Sequence, residues 1–321
     1  MERILVTGAT GFVGSHLVEG LLKEGHEVYC LVRNAHNLRW LHGLPVNLIV
    51  GDCRKKDLRL PKVDFIYHLA GVVKAIRPSL FYQVNYLGTV NLINSVLRQK
   101  LPLKAFVFVS TLAVNGQKTE VITPNDPPYP QTHYARSKWL AEQTLAKFKD
   151  VIPIIIFRPT VIYGPRDKEL LSYFQVIKQG FAPILNPDGI LSFCYVVDVV
   201  QALMKVLEND LPSGKVFLLS DGKAYTWQGV INTISEILDK RPFVIKVPKL
   251  LTYFFAMGAQ FYSHFFKKPL IFSRNKLKEV FQKTWFCDIS ETQDLLNYKP
   301  QYSLAKGMTL TLRWYQIHGW L

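Results

Sequence analysis

The stretch VTGATGFVGSHL, Val6 to Leu17, joins two kinds of pattern. Before it runs a short apolar segment, RILVT (3–7). After it comes GSHLVEGLLKEG (14–25), whose apolar residues recur at helical spacing. Glycines fall at Gly8, Gly11 and Gly14. A strand, a glycine turn and a helix start, in that order, open a βαβ unit that holds a dinucleotide phosphate. Gly8 permits the turn, Gly11 lets the backbone approach a pyrophosphate, and Gly14 lets the helix pack against the strand. Thr10, Phe12 and Val13 complete the turn and are placed against the cofactor with the glycines.

Outward from that turn the alternation repeats. EVYCLV (27–32), NLIV (47–50), DFIYHLA (64–70), AFVFVS (105–110) and IPIIIF (152–157) are short, continuous and often β-branched. Such runs suit strands buried on both faces of a parallel sheet. Helical patterns separate them, notably FYQVNYLGTVNLINSVLRQK (81–100) and ARSKWLAEQTLAKFK (135–149). The implied fold class is α/β, a Rossmann doubly wound parallel sheet with right-handed crossovers. After Gly164 the rhythm breaks. An isolated helix is expected within 164–180, a short strand and a helix within 192–210, and another sheet strand within 215–222. The expected division is a dinucleotide-binding domain over 1–165, to which 191–222 returns. A smaller, mostly helical C-terminal substrate lobe takes 166–190 and 223–321.

The 321 residues are 49% hydrophobic and 20% charged, the balance of a folded chain with a sizeable core. Net charge is +15, which favours anionic ligands or surfaces. No helix-turn-helix or zinc signature accompanies it, so no nucleic-acid partner is expected. Cys30, Cys53, Cys194 and Cys287 lie far apart without metal-ligand spacing, so no metal is expected. MERILVTGATG meets glycines before any signal-peptide core can form, and no segment makes a clean membrane span. The expected location is cytoplasmic.

The end of the second strand selects the cofactor. An NAD site expects an acid there to bind the ribose 2′-OH. This chain has Val32 followed by Arg33, and a guanidinium can pair with a 2′-phosphate. NADP(H) is therefore favoured over NAD(H), with Arg39 as a second phosphate candidate. Further on, YARSK carries Tyr134 and Lys138 at i, i+4, on one helix face. An ammonium near a phenol favours phenolate, which equips Tyr134 to exchange a proton. VSTLAVNG (109–116) ends a strand and brings Ser110 or Thr111 to the carboxyl edge of the sheet, where α/β ligands bind.

Together, TGATGFVGSHL, HLAG (68–71), VNYLGTVNL (84–92), VSTLAVNG, YARSK, FRPTVIYGPRD (157–167) and YVVDVVQAL (195–203) resemble the extended short-chain dehydrogenase/reductase family over essentially the whole chain. The resemblance implies an enzyme that moves a hydride between a nicotinamide and a carbonyl or alcohol carbon. It assigns Thr111, counted back from Gly116, as the catalytic hydroxyl, with Ser110 ranked second. Tyr134 becomes the acid/base, Lys138 its activator and ribose ligand, and Asn85 the family's helix asparagine. Asp52, with Cys53 beside it, would meet the adenine. Leu69, Ala70 and Gly71 would line the ribose side, and Pro159, Thr160 and Val161 would pass beside the nicotinamide. A homodimer through 81–100 and 135–149 is implied in the same way.

Departures narrow the branch. Dehydratases of this family carry an Asp-Glu pair after the catalytic threonine, where this chain has Leu112-Ala113. Sugar-nucleotide epimerases commonly have Arg-Asp where Leu191-Ser192 stand, although Arg166 and Lys168 remain nearby. LVRN and SFCYVVDVV look closer to the dihydroflavonol-reductase and 3β-hydroxysteroid-dehydrogenase branches. A ketone/alcohol oxidoreductase on an apolar, lipid-like small molecule is the leading expectation. A nucleotide-sugar epimerase or reductase and a non-catalytic dinucleotide-binding protein are the alternatives. Finally, VPKLLTYFFAMGAQFYSHFFKKPLIF (247–272) is aromatic all round, inside a segment (240–283) whose only acid is Glu279. It reads either as a packed substrate-lobe helix or as a peripheral membrane contact.

Overall fold

The computed structural model describes residues 1–116, 120–252, 254, 277, 278 and 280–321. Seven parallel strands form the main sheet: β1 (Arg3–Thr7), β2 (Glu27–Val32), β3 (Asn47–Val50), β4 (Phe65–His68), β5 (Ala105–Val109), β6 (Ile154–Pro159) and, after four short strands, β11 (Lys215–Leu219). Their order is β3-β2-β1-β4-β5-β6-β11. The chain winds outward from β1 to β3, then restarts at β4 on the other side of β1. Between β1 and β4 the connections leave in opposite directions, which opens a crevice at the carboxyl edge.

The continuous apolar runs bury both faces of this sheet. Ile4, Val6, Tyr67 and Val107 point into one hydrophobic cluster, where Leu17, Val18 and Leu21 of α1 (Phe12–Lys23) and Val199 and Leu203 of α6 (Val196–Met204) cover them. Leu5, Ile66, Phe106 and Phe108 point the other way. There they meet Leu92 and Val96 of α3 (Leu87–Arg98) and Ala141 and Leu145 of α4 (His133–Ala146). Alternation along each strand thus serves two apolar layers rather than one apolar and one wet face.

The helix expected over 81–100 is not uniform. It begins as α2 (Ser79–Phe81), widens to a π-helical turn over Tyr82–Tyr86, and only then continues as α3. The wide turn carries Asn85, which is fully buried and whose side chain is bound by groups outside its own helix. π turns of this kind commonly occur where a helix serves a site.

A third cluster forms beyond the sheet. Phe174 and Ile177 of α5 (Lys168–Lys178), Val230 and Ile234 of α7 (Trp227–Leu238), and Met308 and Leu312 of α9 (Leu304–Ile317) pack around Ile184 and Leu191. Small strands frame it: β8 (Phe181–Ile184) pairs in parallel with β13 (Phe243–Lys246), and β9 (Ile190–Leu191) lies between β12 (Tyr225–Thr226) and β14 (Thr284–Trp285). β7 (Val161–Tyr163) and β10 (Phe193–Tyr195) make a separate parallel pair. Polar contacts bind this part to the sheet. Arg166 donates to Ser15 at 2.9 Å and pairs with Glu19 at 2.5 Å, and Lys74 meets Glu169 at 2.8 Å. Thr292 of α8 (Ser290–Leu296) donates to the Leu218 carbonyl at 2.8 Å.

Candidate active site

The glycine turn is built by backbone against backbone. Gly8 sits at φ +73°, and a Cβ there would stand 2.7 Å from the Ala70 nitrogen of the loop after β4. A Cβ on Gly14 would stand 2.2 Å from the Gly8 carbonyl oxygen. The Gly11 N–H donates to that same carbonyl at 2.9 Å. Side chains are thus excluded where the strand, the turn and the β4 loop meet. Gly11 caps α1 without a side-chain bond, and no acid lies in the first turn, so the positive end of the helix dipole is left for an anion.

Buried polar groups hold the two edges of the crevice together. Thr89 Oγ1 donates to the Asn85 carbonyl at 2.7 Å, so its oxygen accepts from His68 Nε2 at 2.9 Å. His68 Nδ1 then accepts from Thr7 Oγ1 at 2.6 Å, and the Thr7 oxygen accepts the Ala70 N–H at 3.2 Å. This chain of bonds assigns the neutral Nε2–H tautomer. Burial, with the Lys138 charge nearby, drives the imidazole pKa down to about 3 and keeps it neutral. His68 is therefore a structural link. Asn85 Oδ1 accepts the Val72 N–H at 2.8 Å, and its Nδ2 donates to the Val72 carbonyl at 3.1 Å and to Ser137 Oγ at 2.9 Å. Asn85 thus positions the loop after Gly71 against α4.

On α4, Thr132 caps the helix by accepting the Ala135 N–H, and Tyr134 follows in the first turn. Tyr134 is half-buried, its ring 6.2 Å from that of Phe81. Lys138 is buried. Its Nζ donates to the Val109 carbonyl at 2.7 Å and lies 4.6 Å from the Phe108 ring centroid. The ammonium is therefore fixed at the end of β5, two residues before Thr111. Burial lowers its pKa to about 8, and Glu142 opposes the shift. A Cβ on Gly71 would come within 3.5 Å of Lys138 Nζ, so the β4 loop closes on the same ammonium.

The two hydroxyls after β5 part company. Ser110 is buried, and its Oγ donates to Glu142 Oε1. Thr111 is half-buried and caps the short 3-10 turn Leu112–Val114 by accepting the Ala113 N–H at 3.3 Å, a contact that leaves its own O–H proton unused. Ser110 belongs to a network that the sequence reading missed. Glu142 pairs with Arg158 at 2.5 Å, with both side chains nearly inaccessible, and Arg158 Nη1 donates to Asn115 Oδ1 at 3.1 Å. The available signal was spacing, since Tyr134, Lys138 and Glu142 continue one i, i+4 stripe along α4.

Other candidates are distributed around this centre. Pro159 ends β6, Thr160 donates its N–H to the Leu219 carbonyl at 2.9 Å, and Val161 is exposed. The Thr160 hydroxyl is buried with no hydrogen-bond partner among the described residues, as a group facing a ligand would be. Arg33 is exposed beyond β2, and its charge reaches Asp52 and Cys53. The Asp52 carboxylate is taken up by Arg54, at 2.6 Å from Nη2, which with the Arg54 backbone N–H holds it below the usual carboxylate range. Cys53 is buried, and burial pushes its thiol up to about 12. Arg39 is exposed, and Arg166 lies 4.7 Å from the Trp40 ring centroid besides holding Ser15 and Glu19. His133 accepts or donates a bond to the Tyr82 hydroxyl at 3.0 Å. Leu191 is buried in the third cluster, and Ser192 donates to the Trp285 carbonyl at 2.7 Å. Most of 247–272 lies outside the described residues. Among the described residues no helix is long and apolar enough to cross a membrane, and no acid, histidine and cysteine group could hold a metal.

Residues 4–220 match the model of the NAD dependent epimerase/dehydratase family. The chain belongs to that family. It is an enzyme of the extended short-chain dehydrogenase/reductase type. A UDP-glucose 4-epimerase of Vibrio cholerae is 31% identical over 97% of this chain and 94% of its own length. The decarboxylating sterol-4-alpha-carboxylate 3-dehydrogenase of Schizosaccharomyces pombe is 27% identical over 98% and 97%, and a ceramide reductase of Caulobacter vibrioides is 27% identical over 99% and 96%. The fold is that of a solved UDP-glucuronic acid 4-epimerase from Bacillus cereus in complex with NAD, with a TM-score of 0.79 at 22% identity, covering 99% of this chain and 100% of that one.

Proposed function

We propose that this family member is an NADP(H)-dependent oxidoreductase that interconverts a ketone and a secondary alcohol on an apolar, lipid-like substrate. The observation that carries this reading is at Leu191-Ser192. Where sugar-nucleotide epimerases commonly carry an arginine, the chain buries a leucine in the third cluster and ties the neighbouring serine to a backbone carbonyl. Arg166, one of the two cations that remain nearby in the sequence, is held by Glu19, Ser15 and Trp40, and the other, Lys168, lies over the Trp320 ring. A diphosphate would find no arginine at that position, whereas an apolar substrate needs none. The sterol dehydrogenase and ceramide reductase relatives supply precedent for such substrates on this scaffold.

The residues around the crevice fit a dinucleotide. Gly8, Gly11 and Gly14 with the N-terminus of α1 would hold the pyrophosphate, Leu69–Gly71 and Lys138 the ribose side, and Thr160 and Val161 the nicotinamide end. Arg33 would take the 2′-phosphate. When bound, the nicotinamide supplies or accepts the hydride. The protein's part is orientation and proton transfer. Thr111 donates a hydrogen bond to the substrate oxygen, and Tyr134 gives that oxygen its proton in reduction or removes it in oxidation. Lys138, fixed by Val109, favours the phenolate so that the proton moves readily. Residues 166–190 and 223–321 then act as the substrate lobe, and contact with a lipid surface would deliver substrate to it.

The test is turnover. NADPH oxidation is measured over a panel of sterol, sphingoid and aryl ketones, alongside UDP-glucose. Oxidation with an apolar ketone that Tyr134→Phe slows about 10²–10⁴-fold supports the reading. Interconversion of UDP-sugars with no net NADPH loss would overturn it in favour of an epimerase. No turnover of any kind would favour a binding protein.

A further inference from the structure

On a strand at the surface, inward positions are apolar and outward ones polar, because water meets the outward face. The β8–β13 ribbon breaks that rule. Its inward residues behave normally, with Ala182 and Ile184 buried against the third cluster. Its outward residues are also apolar. Register pairs Phe243 with Phe181 and Ile245 with Pro183 on that face. Phe181 is 52% exposed and Phe243 71% exposed. The chain continues past Val247, whose N–H donates to the Ile184 carbonyl, into a helical segment on which Leu250 and Phe254 are also mostly exposed. A single exposed apolar residue needs no explanation, but two cross-strand phenylalanines followed by further exposed apolar residues do.

Cations outnumber acids around this ribbon, with Glu236 and Asp239 lining the same surface hollow as Lys240 and Arg241. Residues 240–252 contain Lys240, Arg241, Lys246 and Lys249 and no acid. All four are exposed, as are Lys178 just before β8 and Lys283 just before β14. Aromatic rings that reach to headgroup depth, with lysine and arginine beside them, suit an anionic lipid surface. A protein partner would need acids to match the cations and a cavity to take the rings.

We propose that the outward face of the β8–β13 ribbon, with Leu250 and Phe254, docks the protein on anionic membranes. Phe181 and Phe243 enter the interface, and the flanking lysines and Arg241 hold the phosphates. This deepens the partner part of the proposed function by assigning the contact to particular residues. It does not depend on which ketone the enzyme reduces.

The experiment is flotation of the full chain with vesicles of phosphatidylcholine alone or mixed equally with phosphatidylglycerol. Wild type is compared with Phe181→Ser/Phe243→Ser and with Lys240→Glu/Arg241→Glu. Gel filtration and NADPH binding are measured for each. The expected result is binding to the anionic vesicles only, weakened about tenfold or more by high salt and by either double variant. NADPH binding should be unchanged in both variants, which separates a failed surface from a failed enzyme reading. Three outcomes would overturn the proposal: wild type that ignores anionic vesicles, a phenylalanine double variant that binds them as wild type does, or a wild-type dimer that this variant converts to monomer.

Discussion

The end of β5 and the β8–β13 ribbon invert one another. Beneath Thr111 the charges are inside: Lys138, Glu142 and Arg158 are buried and meet one another or a backbone carbonyl. On the ribbon the aromatic rings are outside and the cations stand in solvent. Each arrangement is costly for a chain considered alone. Buried ions lose hydration, and exposed rings order water. The cost at β5 is met within the molecule, by geometry that leaves the carboxylate and guanidinium mutually satisfied. Among the described residues, nothing covers the ribbon's outward face in the same way. The buried polar cluster thus fits a candidate site inside the molecule, and the exposed apolar one fits the proposed docking surface.

Four measurements sharpen or break that contrast, taken from the largest effect to the smallest. Glu142→Ala should destabilise the protein by about 3–5 kcal/mol, because Arg158 is then left buried without its carboxylate. Chemical denaturation would register this, and a loss under 1 kcal/mol would mean that the pair is not the internal compensation described. Arg33→Ala should weaken NADPH binding by about 1.5–3 kcal/mol and leave NADH binding unchanged. Equal losses for both cofactors would remove the phosphate assignment.

The third measurement is pH dependence. Lys138 loses its proton as pH rises through about 8. Reductive turnover should fall above that point, about tenfold per pH unit, as the charge that favours phenolate disappears. Since Glu142 supports the ammonium, the falling limb should move to lower pH in Glu142→Gln. A limb that stays in place would uncouple the buried pair from the reaction. The smallest effect is expected at Phe243→Ser. Its thermal stability should stay within about 0.5 kcal/mol of wild type, since the ring is exposed. A larger loss would show that the ring packs inside the protein, and would end the contrast from the ribbon's side.

The Tyr-Lys stripe was readable because a helix repeats locally. Tyr134 and Lys138 needed only i, i+4 spacing, and the glycines needed only a strand before and a helix after. Glu142 lies on the same stripe but has no meaning without Arg158, sixteen positions further along, and only β6 packing beside α4 brings the two together. Strand pattern alone left Ser110 and Thr111 open, because adjacent residues point to opposite sides, and only the resemblance ranked Thr111 first. Asn85 was pointed to by the resemblance alone. Its hold on Val72 and Ser137, and the π turn that carries it, depend on two segments distant in sequence.

The sequence by itself determined the alternating strands and helices, the glycine turn, the Tyr-Lys stripe and the excess of positive charge. These follow from periodicity and composition, which act over a few residues or over the whole chain. Tertiary structure alone decided which hydroxyl is spent on Glu142, which cations are occupied and which strand faces turn outward. Those depend on burial and on partners far along the chain, and desolvation and hydrogen-bond geometry exist only once those partners have met.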